Sequence, residues 1–210
     1  MELGGKTRIV VGVAILLALM VYDLARRGKE ATRWREYLFL VLCVGVAVVY
    51  GAVNDQITSR ISWEYFYYGK YLWPTLGPQT PPDPTALSLA ALRIGAEATW
   101  WTGLIIGAAL LIANNPVPGF TRVTYRQLIG QLPIVLAITI IAAIIGGICG
   151  DYFLLNWISP DFRDLADTNL WRPHRFMTVY GIHLGGYVGG GIGALVIFAR
   201  IRRLRQRMTN

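Results

Sequence analysis

Ionisable side chains interrupt several long apolar stretches of this sequence, and their types are those that do chemistry in membrane proteins. They are Asp55, Arg93, Glu97, Asp151 and His183. A charge at the centre of a bilayer costs about 2.5–3.5 kcal/mol on insertion scales, so such residues are rare and face the protein interior. Carboxylates together with an imidazole can exchange protons, or they can bind a metal ion such as Fe, Mn or Zn.

The composition explains why the apolar stretches are assigned to a membrane. Of the 210 residues, 54% are hydrophobic and only 15% are charged, whereas soluble domains average about 25% charged residues. The 23 glycines and seven tryptophans are typical of membrane helices and of their anchored ends. The composition therefore predicts an integral membrane protein and excludes a soluble domain, a disordered chain and a disulfide-rich scaffold.

Five apolar stretches predict five transmembrane helices in a single membrane domain, 1–210. The predicted helices cover residues 9–24, 37–53, 86–113, 132–158 and 177–199. Only helices are compatible with spans of this length, because unpaired backbone groups cannot face lipid. An outer loop rich in proline and aromatic residues, 59–85, follows the second helix. No small-residue cleavage pattern follows the first stretch, which favours a retained helix over a signal peptide.

The placement of the basic residues predicts an orientation. The net charge is +8, and Lys and Arg are concentrated between the first two helices and after the last one. By the positive-inside rule these segments are cytoplasmic, which places the N-terminus outside and the C-terminus inside the inner membrane of a bacterium. Basic clusters that flank apolar spans indicate topology and contact with the lipid bilayer rather than binding of nucleic acid.

This orientation brings the ionisable residues to a similar depth, in the outer half of the bilayer. The candidate proton or metal residues are Asp55, Glu64, Glu97, Asp151 and His183. The supporting residues are Asn54, Gln56, Arg93, His174, Tyr180 and Tyr187. Four helices that are distant in sequence contribute to this set. The convergence follows from the predicted topology and predicts a polar cluster between the helices.

Three explanations of this cluster stay open. In the first, the groups only neutralise one another, as Arg93 and Glu97 could do at i and i+4 of one helix. In the second, carboxylates and the histidine bind a divalent metal, as in the cores of other helix bundles. In the third, the cluster binds or conducts protons or other cations. No nucleotide-binding or Ser-His-Asp pattern is present, and whether the protein is an enzyme stays open.

Glycines predict how the helices pack. A row at a spacing of four residues in the fifth helix comprises Gly181, Gly185, Gly189 and Gly193. Such a row forms a smooth groove that lets two helix backbones approach closely. We therefore expect the last four helices to form a glycine-packed bundle. The partner helix could also belong to a second copy or a larger complex, so an accessory or assembly subunit with a purely structural polar cluster is the alternative function.

Four motifs resemble those of an uncharacterised family of bacterial polytopic membrane proteins. The chain reads N-D-Q-I-T at 54–58, W-E-Y-F at 63–66, A-T-W-W-T-G at 98–103 and H-L-G-G-Y-V-G-G at 183–190. The family motifs are H-D-Q-I-T, P-E-Y-F, A-T-W-W-x-G and H-x-x-x-Y-x-x-G. Two positions depart from them, because Asn54 replaces the family's His and Trp63 replaces its Pro.

The resemblance extends over the second to fifth apolar stretches and implies a site at Asp55, Glu64 and His183. No activity is assigned to the family, so the resemblance implies a location and no reaction. The departure at Asn54 weakens the metal alternative, because an amide is a poor ligand for transition metals.

Overall fold

The computed structural model describes residues 5–154 and 172–209, which are mainly helical. The α-helices are α1 (Gly5–Arg27), α2 (Trp34–Ile61), α3 (Trp73–Leu76), α4 (Pro84–Ala113), α5 (Tyr125–Ile129), α6 (Leu132–Cys149) and α7 (Pro173–Thr209). Two π-helical turns cover Tyr65–Gly69 and Gly150–Leu154. No β-strand occurs in the described ranges, where Val117 and Phe120 form an isolated bridge.

Five helical segments of the described chain are long and apolar enough to cross a membrane. They are Thr7–Glu30, Trp34–Ile61, Pro84–Ala113, Tyr125–Tyr152 and Pro173–Thr209. The predicted fold class, an all-α membrane protein with five spanning helices, is confirmed. The predicted end of the fourth helix at residue 158 lies outside the described residues.

Two helices continue well past the C-terminal ends of their apolar stretches. α2 continues from the predicted end at residue 53 to Ile61, and α7 continues from residue 199 to Thr209. The additional turns are polar or basic. Basic residues in the last turns of a helix interact favourably with the helix dipole, so the backbone stays helical after the apolar stretch ends.

The chain forms two compact units. Unit 1 comprises Met1–Gly51, Ala96–Val135 and Gly193–Asn210, and unit 2 comprises Ala52–Gly95 and Leu136–Ile192. The candidate residues Asp55, Glu64, Asp151 and His183 belong to unit 2, whereas Glu97 belongs to unit 1.

Unit 1 has an apolar core and close helix contacts. Its fully buried members include Leu110, Leu128, Ile197 and Ile201. Gly103 of α4 lies so close to the backbone of Cys43 in α2 that a Cβ atom would overlap the carbonyl oxygen. Gly193 of α7 lies against Val135 of α6, with 3.0 Å between a built Cβ atom and Val135 Cγ1. Small residues therefore set the helix separations in this unit.

The buried Arg205 side chain caps the C-terminus of α4 in unit 1. Its Nη1 donates to the carbonyl oxygen of Ala113 at 2.7 Å and its Nε donates to that of Thr121 at 3.2 Å. The last carbonyl groups of a helix have no partner within the helix, so Arg205 satisfies one of them from another helix.

Replacing Arg205 with methionine should lower the free energy of unfolding by about 1.5–3 kcal/mol, the usual contribution of hydrogen bonds to a charged group. Methionine keeps most of the apolar stem, so the loss reports on the guanidinium contacts. Denaturation in mixed micelles, followed by circular dichroism, measures the change. The matched control is Arg203→Met, because Arg203 is exposed on the same helix. Equal losses in both variants would contradict this role of Arg205.

Unit 2 is held together by the glycine row of α7. A Cβ atom on Gly181 would overlap the carbonyl oxygen of Gly146 in α6, and one on Gly185 would overlap that of Ala142. Gly189 continues the contact one turn later, with Ala142 Cβ 2.6 Å from a built Cβ atom. In unit 2 the partner of the row is therefore α6 of the same chain.

Candidate functional site

Asp55 lies in the last two turns of α2 and is 2% exposed. The helix continues through this polar segment, where hydroxyl groups donate back to its own carbonyl oxygens, Thr58 to Asn54 at 2.9 Å and Ser59 to Gln56 at 3.2 Å. The side-chain amide of Asn54 donates to Asp55 Oδ1 at 3.3 Å. A carboxylate is thereby fixed at the polar end of an otherwise apolar helix.

An imidazole and an amine flank this carboxylate. His183 Nε2 of α7 lies 3.6 Å from Asp55 Oδ1, and Lys70 Nζ lies 3.9 Å from Oδ2. His183 Nε2 is also 3.5 Å from the hydroxyl oxygen of Thr58. We call Asp55, Thr58, Tyr65, Lys70 and His183 the Asp55 cluster. Its separations exceed those of direct hydrogen bonds, about 2.7–3.2 Å, and Oδ2 of Asp55 is buried without a hydrogen-bond partner among the described residues.

Aromatic rings enclose the cluster on one side. The Tyr65 ring stacks on the His183 ring, with 5.0 Å between centroids and 15° between planes. The Phe66 ring meets the same imidazole edge-on at 6.2 Å. Lys70 Nζ lies 5.8 Å from the centroid of Tyr65, within the range of a cation–π contact. The two rings therefore restrict the orientation of the imidazole.

The π-helical turn Tyr65–Gly69 brings both Tyr65 and Lys70 to this place. Tyr65, Phe66 and Tyr67 are at most 8% exposed, because the turn folds the aromatic part of the predicted outer loop into unit 2. The backbone N–H of Lys70 donates to the carbonyl oxygen of Tyr65 at 2.8 Å, which fixes where the lysine side chain begins.

The environment changes the acidity of the two cluster groups that lie outside the spanning helices. Burial lowers the pKa of Lys70, and the nearby Asp55 carboxylate opposes this change. Burial also raises the pKa of Tyr65, with further increases from Asp55, Tyr187 and Tyr180. The neutral amine and the neutral phenol are therefore both favoured relative to the same groups in water.

Asp151 and His174 form a pair of their own. His174 Nδ1 lies 3.3 Å from Asp151 Oδ1, and 66% of the His174 side chain and 42% of the Asp151 side chain are exposed. Both side chains therefore reach the surface of the chain. The structure assigns these two residues to a surface pair rather than to the direct contacts of Asp55.

Other predicted residues have separate positions in unit 2. Glu64 is 1% exposed, and its Oε1 accepts a hydrogen bond at 3.3 Å from the backbone N–H of Arg172. Gln56 is paired with Ser88 of α4, whose hydroxyl donates to Gln56 Oε1 at 2.8 Å. Tyr180 packs against the aromatic core of the unit.

The assignments of three further residues to the polar cluster stay predictions. Glu97 belongs to unit 1 and Arg93 to unit 2, so their place in the polar cluster still rests on the predicted depth. Tyr187 is 42% exposed, and its effect on the pKa of Tyr65 is electrostatic.

Lys70 was not predicted from the sequence, because a basic residue in a loop is usually part of a solvated surface. Its position directly after five residues of mainly aromatic sequence was the available signal.

The metal alternative gains no support from these positions. In the part of the chain that the structure describes, no group of three or more His, Cys, Asp or Glu side chains is placed to hold a metal ion. Asp55 and His183 supply two such groups, and the third neighbour is the amine of Lys70. A protonated amine repels a metal cation, so the donor set suits proton exchange better.

Comparisons of the chain with protein-family models, with curated proteins and with solved structures found no match. The resemblance to the bacterial membrane family therefore stays a prediction from the motifs, and the function has to be argued from the chemistry of the Asp55 cluster.

Proposed function

We propose that this integral membrane protein binds and releases protons at the Asp55 cluster. The observation that carries the proposal is a buried carboxylate with an imidazole 3.6 Å away on one oxygen and an amine 3.9 Å away on the other. All three groups can gain or lose a proton. A carboxylate this deeply buried is stable only when paired or neutralised, so any change of protonation alters how the cluster is held together.

Each protonation state favours a different set of contacts. With Asp55 ionised, the carboxylate attracts the Lys70 ammonium group and can accept a hydrogen bond from His183 Nε2. With Asp55 protonated, the attraction to Lys70 is lost, and Lys70 is free to turn toward water. Lys70 lies in the segment after the π-helical turn, and His183 lies in α7. Uptake of a proton at Asp55 therefore changes the interaction between these two elements.

The location of the cluster follows the topology predicted from the basic residues. We propose that the chain lies in the inner membrane of a bacterium, with its N-terminus outside, its C-terminus inside and the Asp55 cluster in the outer half of the bilayer. The concentration of arginines at the end of α7 supports this orientation.

A second candidate is an accessory subunit of a larger membrane complex. The glycine row no longer favours it, because α6 of the same chain occupies the row. One observation still does: in α1 only 6% of the most apolar window is buried by the chain, against 22–28% in the other four spans. This candidate predicts co-purification with other chains in mild detergent, and a solitary homogeneous species would contradict it.

Infrared difference spectroscopy tests the proton proposal directly. The full-length protein, reconstituted in lipid, is compared over a series of pH values, and the C=O stretching band of a protonated carboxylic acid is recorded. We expect a band that is present in the wild type, absent in Asp55→Asn and retained in Asp151→Asn. The second variant is the matched control, because Asp151 belongs to the surface pair.

Circular dichroism and size-exclusion profiles establish that both variants fold. The proposal is wrong if no Asp55-dependent carboxyl band occurs at any pH at which the protein remains folded.

A further inference from the structure

Exposed arginines from three segments of unit 1 lie on one surface. The segments are the start of α2, the connection from α4 through α5, and the end of α7. Arg122 Nη2 of the connection lies 3.4 Å from Glu36 Oε1 of α2. The backbone N–H of Thr121 donates to Thr209 Oγ1 of α7 at 3.2 Å. These contacts hold the segments side by side. The exposed arginines, which we call the arginine surface, are Arg33, Arg35, Arg122, Arg126, Arg200, Arg202, Arg203 and Arg207.

The arginine surface has little compensating negative charge. Glu36 is the one acidic residue of segments 33–42, 114–131 and 195–209, and its carboxylate is paired with Arg122. The surface is therefore strongly positive, and it lies where apolar helices end. A guanidinium group presents N–H donors in a planar fork that matches the oxygens of a phosphate group. The charge and the donor type together suit a phosphate-containing ligand.

Exposed apolar side chains lie one turn away from arginines on all three segments. The pairs are Arg35 with Leu38 in α2, Arg126 with Ile129 in α5, and Arg200 with Val196 in α7. The apolar members are 42–48% exposed. Residues three or four apart share a helix face, and in each pair the apolar member lies nearer to the middle of the spanning segment. Each face thus presents a guanidinium group at the edge of a hydrocarbon surface.

We propose that the arginine surface binds the headgroups of anionic phospholipids. The lipid phosphate accepts hydrogen bonds from the guanidinium groups, and the acyl chains cover the apolar members of the three pairs. A nucleic acid or an acidic peptide would satisfy the arginines but would leave Leu38, Ile129 and Val196 without an apolar partner. The ammonium group of a zwitterionic headgroup is repelled by the same arginines, which selects a headgroup of net negative charge. The inference is independent of proton exchange at the Asp55 cluster.

Spin-labelled lipids test this preference in the full-length protein. The protein is reconstituted in phosphatidylcholine with a trace of spin-labelled phosphatidylglycerol or spin-labelled phosphatidylcholine. Electron paramagnetic resonance distinguishes lipid immobilised at the protein from bulk lipid, which gives the ratio of the two association constants. We expect a preference of about fivefold for the anionic lipid at low salt, the ratio that one arginine near an anionic surface supplies. The ratio should fall toward one at high salt, because salt screens the attraction.

Two double variants locate the preference. Arg35→Gln with Arg200→Gln should lower the ratio at least about twofold, because two charges leave the arginine surface. Arg172→Gln with Arg175→Gln is the matched control, because it removes two exposed charges from unit 2, and it should leave the ratio unchanged. Lysine at positions 35 and 200 keeps the charge and should retain most of the preference. Circular dichroism establishes that each variant folds.

Three results would overturn the inference. The first is a wild-type ratio near one at low salt. The second is an equal fall of the ratio in both glutamine variants, which would show a general effect of net charge. The third is displacement of the labelled phosphatidylglycerol by a short DNA duplex at equal ionic strength, which would assign the arginine surface to nucleic acid. Persistence of the labelled lipid in the presence of the duplex supports the lipid.

Discussion

Replacing Gly181 with alanine is expected to destabilise the protein strongly. The new Cβ atom would overlap the carbonyl oxygen of Gly146 and would lie 3.1 Å from Gly150 Cα. Both neighbours are backbone atoms, one in α6 and one in the π-helical turn that follows it, and they cannot rotate away as a side chain can. The two helices must therefore separate, and the loss extends to the contacts of Gly185 one turn further along.

We expect the free energy of unfolding to fall by about 3 kcal/mol, the upper part of the usual range for overpacking. The matched control is Gly191→Ala in the same helix, where no atom lies within 4 Å of a built Cβ. That change should be neutral or should stabilise the helix by up to about 1 kcal/mol. Denaturation in mixed micelles compares the two variants. Similar changes in both variants would contradict the role of the α6–α7 contact at Gly181.

Replacing Asp55 with asparagine is expected to have the second large effect. Asparagine keeps the shape of the side chain but leaves the Lys70 ammonium group, 17% exposed, without its nearest counterion. Removing one partner of a buried pair costs about 3–5 kcal/mol. Because Lys70 retains some exposure to solvent, we expect the lower end, about 3 kcal/mol at neutral pH. The further change Lys70→Met should recover much of this loss.

The loss of stability in Asp55→Asn should depend on pH, and the protonation of Lys70 determines the direction of this dependence. Its pKa is lowered in the folded protein by burial, so between the folded and unfolded pKa values the unfolded chain binds more protons. Stability therefore rises with pH through this window. Once Lys70 is neutral, the loss of the Asp55 charge no longer leaves an unpaired cation. The destabilisation by Asp55→Asn should thus shrink toward alkaline pH, and a penalty that is constant with pH would argue against the ion pair.

The fold could be predicted because its signals are local. The lengths of the apolar stretches determine the number of spans. Glycines at a spacing of four residues in α7 identify the face of this helix that packs on α6. The ends of α2 were less predictable. Thr58 and Ser59 look like the start of a loop, yet their hydroxyl groups bond to the helix backbone and the helix continues to Ile61.

The candidate site could be predicted only in part, because depth in a membrane does not determine the face of a helix. Asp55 and His183 have similar predicted depths, and their side chains lie close together. Asp151 has a similar predicted depth, but it lies in the π-helical turn Gly150–Leu154, where the wider turn changes the direction of side chains relative to an α-helix. Lys70 reaches the cluster through the fold of a connecting segment, which no periodic pattern encodes.

The stacked rings have an optical consequence. The Tyr65 ring contacts two groups that can carry positive charge. It stacks on the His183 ring, and Lys70 Nζ also lies near its centroid. When either becomes cationic, the contact gains a cation–π component and the electron density of the phenol is perturbed. Tyr65 is therefore an intrinsic chromophore that reports the charge of the cluster. Ultraviolet resonance Raman spectra of tyrosine could follow this charge in the unlabelled protein, with Tyr65→Phe identifying its contribution.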